Sequence, residues 1–380
     1  MEFSPLGFLR PVGYMELDRG QYDRVTELCV IQPAACLIRR DVLKRVGGLF
    51  DPDYFWGHED TDLSLRMHLA SYRMLLCPSS LVYHVRSATI SKARPEALTY
   101  YFRRNVLLTM LKNYGLKELA RWLPLHMAVL VAMVVWHLIS GRGLHAIAVL
   151  KAVWWNMRNI RAILNKRAFV QARVRRIPDG ALVAKLRGPS LPELLRGRHE
   201  GPLSTAHLGE GLLGHNKRER PRGEIRRELP REGRQDLEDT RPPKALLCDR
   251  QSTLSVRPRV SVVIVTYNRP RYCDELLESL ENQTVEPYEV IVIDDASTPP
   301  YRPKRGRGLR LRLFRSEREL GAGLARLLGS RLAEGDVIAF IDDDAIAPEK
   351  WVERLAEGYR HGLHVWGGPA LPIYGAKKPW

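Results

Sequence analysis

Three consecutive aspartates at 342–344, directly after the apolar run "DVIAFI", are the strongest chemical signal in the chain. Asp294–Asp295 follows the run "YEVIVI" in the same way, and Thr266–Tyr267 follows "VSVVIV". Adjacent carboxylates repel one another unless a cation lies between them. Hard oxygen ligands suit Mg²⁺ or Mn²⁺, which also bridges phosphates. The pattern predicts a divalent metal site beside a phosphate-bearing ligand; alternatively, the acids cap turns and helices.

A second acidic group lies near the N-terminus, in "FWGHEDTDLSLRMHLASYR". Glu59, Asp60 and Asp62 precede apolar residues at helical spacing, so they lie at the N-terminus of a predicted helix. Backbone N–H groups at that end favour negative charge. Taken in isolation, the stretch is best explained as an acidic helix cap.

The elements that position the C-terminal acids alternate between strand and helix. "RVSVVIVTY", "YEVIVID" and "DVIAFIDDD" are typical of strands buried on both faces. Helices are predicted over "RYCDELLESLENQ", "ELGAGLARLLGSRLAEG" and "PEKWVERLAEGY", the last with Pro348 in its first turn. Short links between them predict right-handed crossovers and a parallel α/β sheet. Such sheets bind ligands at the carboxyl ends of their strands, where these polar residues lie.

Composition divides the chain into four regions. These are a globular region at 1–118, a hydrophobic and basic helical region at 119–186, a segment rich in Gly, Pro and charge at 187–256, and the α/β unit at 257–380. The third region has little apolar periodicity, so it is predicted to be a flexible linker.

The second region contains "WLPLHMAVLVAMVVWHLIS" and "LHAIAVLKAVWW", with basic residues on both sides. The first run has about 18 residues, near the lower limit for crossing a bilayer. We predict a pair of helices in or on the cytoplasmic face of the cell membrane. The alternative is a helical hairpin buried in a soluble core.

The formal net charge is +17, which suits anionic partners such as phosphates, an acidic membrane or nucleic acid. The basic residues are spread along the chain, so no nucleic-acid partner is expected. The five cysteines include no CxxC pair, which argues against a zinc site or a disulfide framework and favours a reducing compartment.

The three C-terminal motifs, "VSVVIVTYNRPRYCDELLESLENQ", "YEVIVIDDAS" and "IAFIDDDAIAPEKW", together resemble the donor half of a family 2 glycosyltransferase. The resemblance covers nearly all of residues 258–380. It implies a GT-A-type nucleotide-diphospho-sugar transferase fold with a Rossmann-like mixed sheet. The donor-binding residues that it implies are Thr266, Tyr267, Asp294, Asp295, Arg326, Asp342 and Asp343. It also implies that Asp342 and Asp344 hold a divalent metal on the diphosphate.

One part of the donor half departs from the family pattern. In "ELGAGLARLLG", Leu320 and Leu327 stand where the family has polar groups, which predicts weaker donor binding. The same glycine-rich stretch offers a rival interpretation as a dinucleotide-binding turn. That turn would have to lie between the first strand and the first helix, and here it comes late. An NAD-dependent oxidoreductase is therefore disfavoured.

The N-terminal segment "GGLFDPDYFWGHEDTDLSLRMHLASYRMLLCPSSLVYH" resembles the acceptor half of the same family, closest to its rhamnosyltransferase-like members. The resemblance covers roughly residues 1–180. It implies that Asp60 is the catalytic base, with Glu59 beside it. His84 lies where some members have a further metal ligand, although from the residues alone a structural strand histidine is equally expected.

The two halves occur in the reverse of the family order. Two explanations remain open: the chain joins pieces of two incomplete transferases, or its halves dock as one split or permuted domain. A domain split between strands leaves exposed sheet edges, which favours docking, within one chain or through self-association.

We therefore expect a membrane-associated, metal-dependent, inverting glycosyltransferase. It would move a sugar from a nucleotide diphosphate to a hydroxyl of a lipid-linked or polysaccharide acceptor. The alternative is an inactive truncated or tandem remnant that serves as a nucleotide- or membrane-binding module.

Overall fold

The structure is a computed structural model of the 380-residue chain. It describes residues 1–10, 12, 19–32, 35–84, 94–186, 188 and 257–372. The predicted linker at 187–256 therefore lies outside the described residues, apart from residue 188.

The described part of the chain consists of β-strands and α-helices. The strands are β1 (Glu2–Phe3), β2 (Leu9–Arg10), β3 (Thr26–Glu27), β4 (Ala35–Arg39), β5 (Met74–Leu76), β6 (Val82–His84), β7 (Val260–Thr266), β8 (Glu289–Asp294), β9 (Leu311–Arg315), β10 (Val337–Ile341), β11 (Ala345–Ile346), β12 (Val365–Gly367) and β13 (Ala370–Pro372). The helices are α1 (Arg40–Arg45), α2 (Glu59–Leu69), α3 (Pro95–Asn113), α4 (Leu116–Ile139), α5 (Gly143–Arg158), α6 (Ile160–Phe169), α7 (Asp179–Lys185), α8 (Pro270–Glu281), α9 (Ala322–Leu332) and α10 (Trp351–Arg360). A π-helical turn, Val170–Val174, continues α6.

An eight-stranded mixed sheet forms the centre, in the order β3-β5-β12-β4-β10-β7-β8-β9. Strands β10, β7, β8 and β9 run parallel, as the strand–helix alternation predicts. Strand β4 is antiparallel to both of its neighbours, β10 and β12. The mixed α/β sheet predicted from the sequence is therefore present.

Strand β4 comes from the N-terminal region but lies between two strands of the C-terminal region. Its register places Cys36 opposite Phe340 and Ile38 opposite Ile338. All four side chains are buried. Without β4, strands β10 and β12 would each leave a row of unpaired backbone groups. The two regions therefore share one continuous sheet.

Both faces of the sheet are covered, because successive residues of its central strands point to opposite sides. On β7, Val263 packs into the core formed with α2, α3 and α9. Its neighbour Val262 packs into the core formed with α8 and α10. The continuous apolar pattern of this strand reflects burial on both sides.

The start of α10 corrects one prediction. The helix begins at Trp351, so Pro348 precedes it rather than lying in its first turn. The Trp351 N–H donates to the Pro348 carbonyl at 2.9 Å, which closes a separate turn before the helix. By contrast, α8 does begin with a proline, Pro270.

Helices α4 and α5 form a hairpin that packs on the rest of the molecule through α3. Within the described residues, α4 is the one helix long and apolar enough to cross a membrane, with a mean hydropathy of 1.9 over a window that is 22% buried. Several large apolar side chains of the hairpin are exposed: Leu125, Val131, Val135, Trp136, Leu138, Ile139, Leu144, Ile147, Leu150, Trp154 and Met157.

Candidate active site

A small three-stranded sheet brings His84 to the aspartate triplet. Strand β6 ends at His84 and pairs with β11, which places His84 opposite Ala345. The triplet immediately precedes Ala345, so the imidazole meets two of its carboxylates. His84 Nε2 lies 3.2 Å from Asp342 Oδ2 and 3.0 Å from Asp344 Oδ1. The predicted metal ligands Asp342, Asp344 and His84 are therefore together, although they come from opposite ends of the chain.

These three side chains fit a divalent cation. Their donor atoms all lie within 4.8 Å of one another. Around an octahedral ion with bonds of about 2.1 Å, adjacent ligand atoms are about 3 Å apart. The two distances from His84 Nε2 match that spacing. One imidazole beside two carboxylates is a donor set that suits Mn²⁺ at least as well as Mg²⁺.

Two arginines orient the carboxylates of this cluster. Arg326 Nη2 donates to Asp342 Oδ1 at 2.5 Å, and Arg269 Nη1 lies 3.3 Å from Asp344 Oδ2. Each arginine thus takes one oxygen and leaves the other directed at His84. Arg269 was missed by the sequence analysis, although a basic residue just after the first strand, in "TYNRP", was a usable signal.

The middle aspartate faces away from His84. Thr266 Oγ1 donates to Asp343 Oδ2 at 2.9 Å, and Arg269 Nη1 donates to Asp343 Oδ1 at 3.0 Å. Burial raises the pKa of Asp343 to about 7. Thr266 and Asp343 therefore bond to each other, while the adjacent Tyr267 is 39% exposed at the end of β7.

Asp294 is held by its own loop. It is 1% exposed and accepts hydrogen bonds from the backbone N–H groups of Ser297 and Tyr301, at 2.9 and 3.0 Å. Arg315 Nη1 donates to it at 2.7 Å. Burial raises the pKa of this carboxyl, but these donors outweigh burial and hold it below its ordinary value. Asp294 thus fixes the loop after β8.

Asp295 fixes the start of α9. Its two oxygens accept from the backbone N–H groups of Leu320 at 2.7 Å and Gly321 at 2.9 Å. Gly321 has φ +82°, and a Cβ there would lie 2.7 Å from the Phe55 carbonyl oxygen. Glycine is therefore required at this position. The Leu320 contact to Asp295 is made by the backbone N–H, so it needs no polar side chain at position 320. Leu327 packs its side chain into the core.

The acidic residues at the start of α2 divide into two groups. Asp62 is 0% exposed and lies 2.8 Å from Lys112 Nζ and 2.9 Å from Arg66 Nε, so its role is structural. Glu59 and Asp60 are half-buried and carry no such lysine partner among the described residues. Burial, followed by the charge of Asp60, raises the pKa of Glu59 to about 7. Burial also raises the pKa of Asp60.

Arg326 links this helix to the aspartate cluster. Its Nη1 lies 4.0 Å from Glu59 Oε1, while its Nη2 donates to Asp342. The Arg326 side chain is 12% exposed, so both contacts are shielded from solvent. The start of α2 and the carboxyl end of β10 therefore meet at the Arg326 side chain.

Comparison with known proteins finds similarity to this family in the C-terminal region. The sequence model described as "Glycosyl transferase family 2" matches residues 261–377. The glucosyl-dolichyl phosphate glucuronosyltransferase of Haloferax volcanii is 34% identical over 128 residues, which are 32% of this chain and 41% of that protein. The validoxylamine A glucosyltransferase of Streptomyces hygroscopicus subsp. limoneus is 35% identical over 124 residues, 31% of this chain and 26% of that protein.

Among solved structures, the crystal structure of S. aureus TarS 1–349 in complex with UDP-GlcNAc is 29% identical, with a TM-score of 0.24. The match covers 26% of this chain and 30% of that one. The chain thus spans less than half the length of these relatives. The residues that match the family model contain the three C-terminal motifs described above. Residues 261–377 of this chain are thus similar in sequence to glycosyl transferase family 2.

Proposed function

We propose that this chain is an inverting glycosyltransferase that moves a sugar from a nucleotide diphosphate to an acceptor hydroxyl. The observation that carries the proposal is the position of Arg326, 2.5 Å from Asp342 and 4.0 Å from Glu59. The donor-side acids on one side of Arg326 and the half-buried carboxylates on the other are proposed to line a cleft. Together they would supply the two parts that the reaction needs. The strand pairing of β4 with β10 and β12 supports a split or permuted GT-A-type unit within one chain.

In the proposed reaction, the acceptor oxygen attacks the anomeric carbon as the bond to the diphosphate breaks. The proton of the attacking hydroxyl passes to the Asp60 carboxylate, and the nucleoside diphosphate leaves from the opposite face of the sugar. A single displacement of this kind inverts the anomeric carbon. The raised pKa of Asp60 makes its carboxylate a stronger base near neutral pH. Glu59, which borders Arg326, is proposed to orient the acceptor.

On the donor side, His84, Asp342 and Asp344 would hold a divalent cation. When bound there, a cation would neutralise charge on the diphosphate. Thr266 and Tyr267, at the exposed end of β7, are proposed to line the nucleoside site. Asp294, Asp295, Arg326 and Asp343 would shape that site, since each is bonded to neighbouring loops or acids.

For the acceptor we favour a lipid-linked hydroxyl over a polysaccharide. The exposed apolar side chains of the α4–α5 hairpin support attachment to a membrane. One relative's name contains a glucosyl-dolichyl phosphate, which is a lipid-linked sugar. Basic residues at the ends of the hairpin, such as Arg121 and Arg158, favour the cytoplasmic face.

The test is the release of nucleoside diphosphate from a panel of nucleotide sugars by the full chain in the presence of Mn²⁺. Wild type is expected to turn over one of them. Asp60→Asn and Asp344→Asn, one from each region, are each expected to lose about 100-fold or more. Glu349→Gln changes an exposed carboxylate outside the cleft and serves as the matched control.

Binding of a nucleotide sugar with no turnover under any of these conditions would contradict the proposal. That outcome would favour the inactive remnant that acts only as a binding module. If a mixture of the Asp60→Asn and Asp344→Asn chains regains activity, each site is built from two chains rather than one.

A further inference from the structure

A cavity of about 430 Å³ lies between α3 and α5, outside the cleft described above. Its lining side chains are aromatic, cationic or neutral: Tyr100, Lys151, Trp154, Trp155, Arg158 and Asn159. Lys151 and Arg158 are exposed, and neither forms an ion pair within the described part of the chain. The cavity therefore presents two uncompensated positive charges beside flat aromatic surfaces.

A third positive charge lies beneath this cavity. Arg104 is 6% exposed, and its guanidinium lies over the rings of Trp155, Tyr101 and Tyr100, at 4.5, 5.0 and 5.6 Å from their centroids. Its hydrogen bonds go to neutral acceptors, the Asn105 side chain and a main-chain carbonyl. A buried guanidinium that has no carboxylate partner among the described residues favours an anion nearby.

An exposed apolar stripe adjoins the same cavity. Leu150, Trp154 and Met157 follow one another at helical spacing on α5, and they are 56%, 61% and 60% exposed. Trp154 belongs to both the stripe and the cavity. A cationic cavity that continues into an apolar stripe complements a molecule with an anionic head and a long apolar tail.

Packed side chains connect the cavity to the catalytic cleft. Tyr100 contacts Tyr101 with ring centroids 5.1 Å apart, and Tyr101 contacts Phe55 at 5.3 Å. The Phe55 carbonyl borders Gly321, whose N–H donates to Asp295. The cavity is therefore connected, through Tyr101 and Phe55, to the loop that leads into α2 and to the start of α9.

We propose that this cavity binds the phosphate group of a lipid phosphate, with its apolar chain along the stripe of α5. The inference rests on the proposed function, and it names the acceptor as a phosphate-bearing lipid whose head is held beside the cleft. Lys151 and Arg158 contact the phosphate, and the charge of Arg104 supports them from below. Trp154 packs between the phosphate and the apolar chain.

The test measures binding of the full chain to phosphatidylcholine vesicles that contain either hexadecyl phosphate or phosphatidylglycerol at matched surface charge. Wild type is expected to prefer the hexadecyl phosphate vesicles by about tenfold, because an exposed phosphomonoester accepts more charge-assisted hydrogen bonds. The double variant Lys151→Gln/Arg158→Gln is expected to lose this preference. The control Arg142→Gln/Arg161→Gln removes two exposed cations that do not line the cavity, and it is expected to keep the preference.

Equal preference in the two double variants, or no preference in wild type, would overturn the proposal. Displacement from the vesicles by an equal concentration of inorganic phosphate would also overturn it, because the occupant would then be a soluble anion. Release of nucleoside diphosphate without acceptor is measured in parallel and is expected to be unchanged in the control variant Arg142→Gln/Arg161→Gln. If wild type releases none while the lipid preference remains, the proposed function fails and the lipid site stands.

Discussion

The carboxyl of Glu59 is predicted to make stability depend on pH. In the folded chain its pKa is about 7, raised by burial and by the charge of Asp60 from an ordinary value of 4.5. Between these two values the folded state holds a proton that the unfolded state has lost, so stability falls as the pH rises through this window. At about 1.4 kcal/mol per pH unit, the total loss is roughly 3 kcal/mol.

Glu59→Gln removes this titration while keeping the side-chain shape. Below about pH 4.5 the variant and wild type are expected to be similarly stable, because neither side chain is charged. Above about pH 8 the variant is expected to be more stable by roughly 3 kcal/mol. The measurement is urea unfolding followed by tryptophan fluorescence at several pH values, with Glu349→Gln as the exposed control.

A stability difference that does not change with pH would show that the Glu59 pKa is not raised in the folded chain. So would a variant that is less stable than wild type at high pH, because Glu59 would then be stabilised by Arg326 more than it is destabilised by burial. If Glu59 also orients the acceptor, glycosyl transfer by the more stable variant should be slower than in wild type, with donor hydrolysis unchanged.

Three further changes test other parts of the structure. Lys112→Met is expected to lower the free energy of unfolding by about 3–5 kcal/mol, because the buried carboxylates Asp51 and Asp62 lose their shared cation. Urea unfolding measures this free energy, and a decrease under about 1 kcal/mol would contradict the prediction. Asp294→Asn is expected to lower the free energy of unfolding by about 2 kcal/mol and to weaken donor binding measured by calorimetry. Unchanged donor binding would show that the loop after β8, which Asp294 fixes, is not part of the donor site. Val131→Glu, at a 62% exposed position of α4, is expected to weaken vesicle binding about 100-fold without changing the unfolding temperature. If the variant and wild type bind vesicles equally, this face of α4 lies outside the membrane.

Local sequence patterns predicted the strands that end in acids, because their continuous β-branched runs need no information from elsewhere in the chain. The position of β4 depends on pairing between residues about 300 apart, which local patterns do not specify. The exposed edges of a split sheet favoured docking of the two halves without indicating which strands pair. The pattern also placed Pro348 in a helix that begins at Trp351. Proline is compatible with both a first helical turn and the turn before it, so periodicity alone does not separate them.

Acidic residues that are close in the sequence also have different surroundings in the fold, and sequence patterns do not reveal these surroundings. Asp62 is structural because Lys112, on α3, reaches it at 2.8 Å. Asp60, two residues earlier, has no such neighbour among the described residues. Leu320 was interpreted as a departure from the family because its side chain is apolar, yet its backbone N–H makes the contact to Asp295. Side-chain identity does not report contacts made by the main chain.

Residues from both ends of the chain, His84 together with Asp342 and Asp344, are proposed to build one metal site. Pulsed electron paramagnetic resonance of Mn²⁺ bound to the full, untagged chain tests this proposal most directly. We expect nitrogen coupling from a single imidazole that disappears in His84→Ala, and a Mn²⁺ affinity that falls in Asp344→Asn. Because the chain has 11 histidines, the variant is needed to assign the coupling. Nitrogen coupling that persists in His84→Ala, or Mn²⁺ held by the aspartates with no imidazole coupling in wild type, would contradict the proposal.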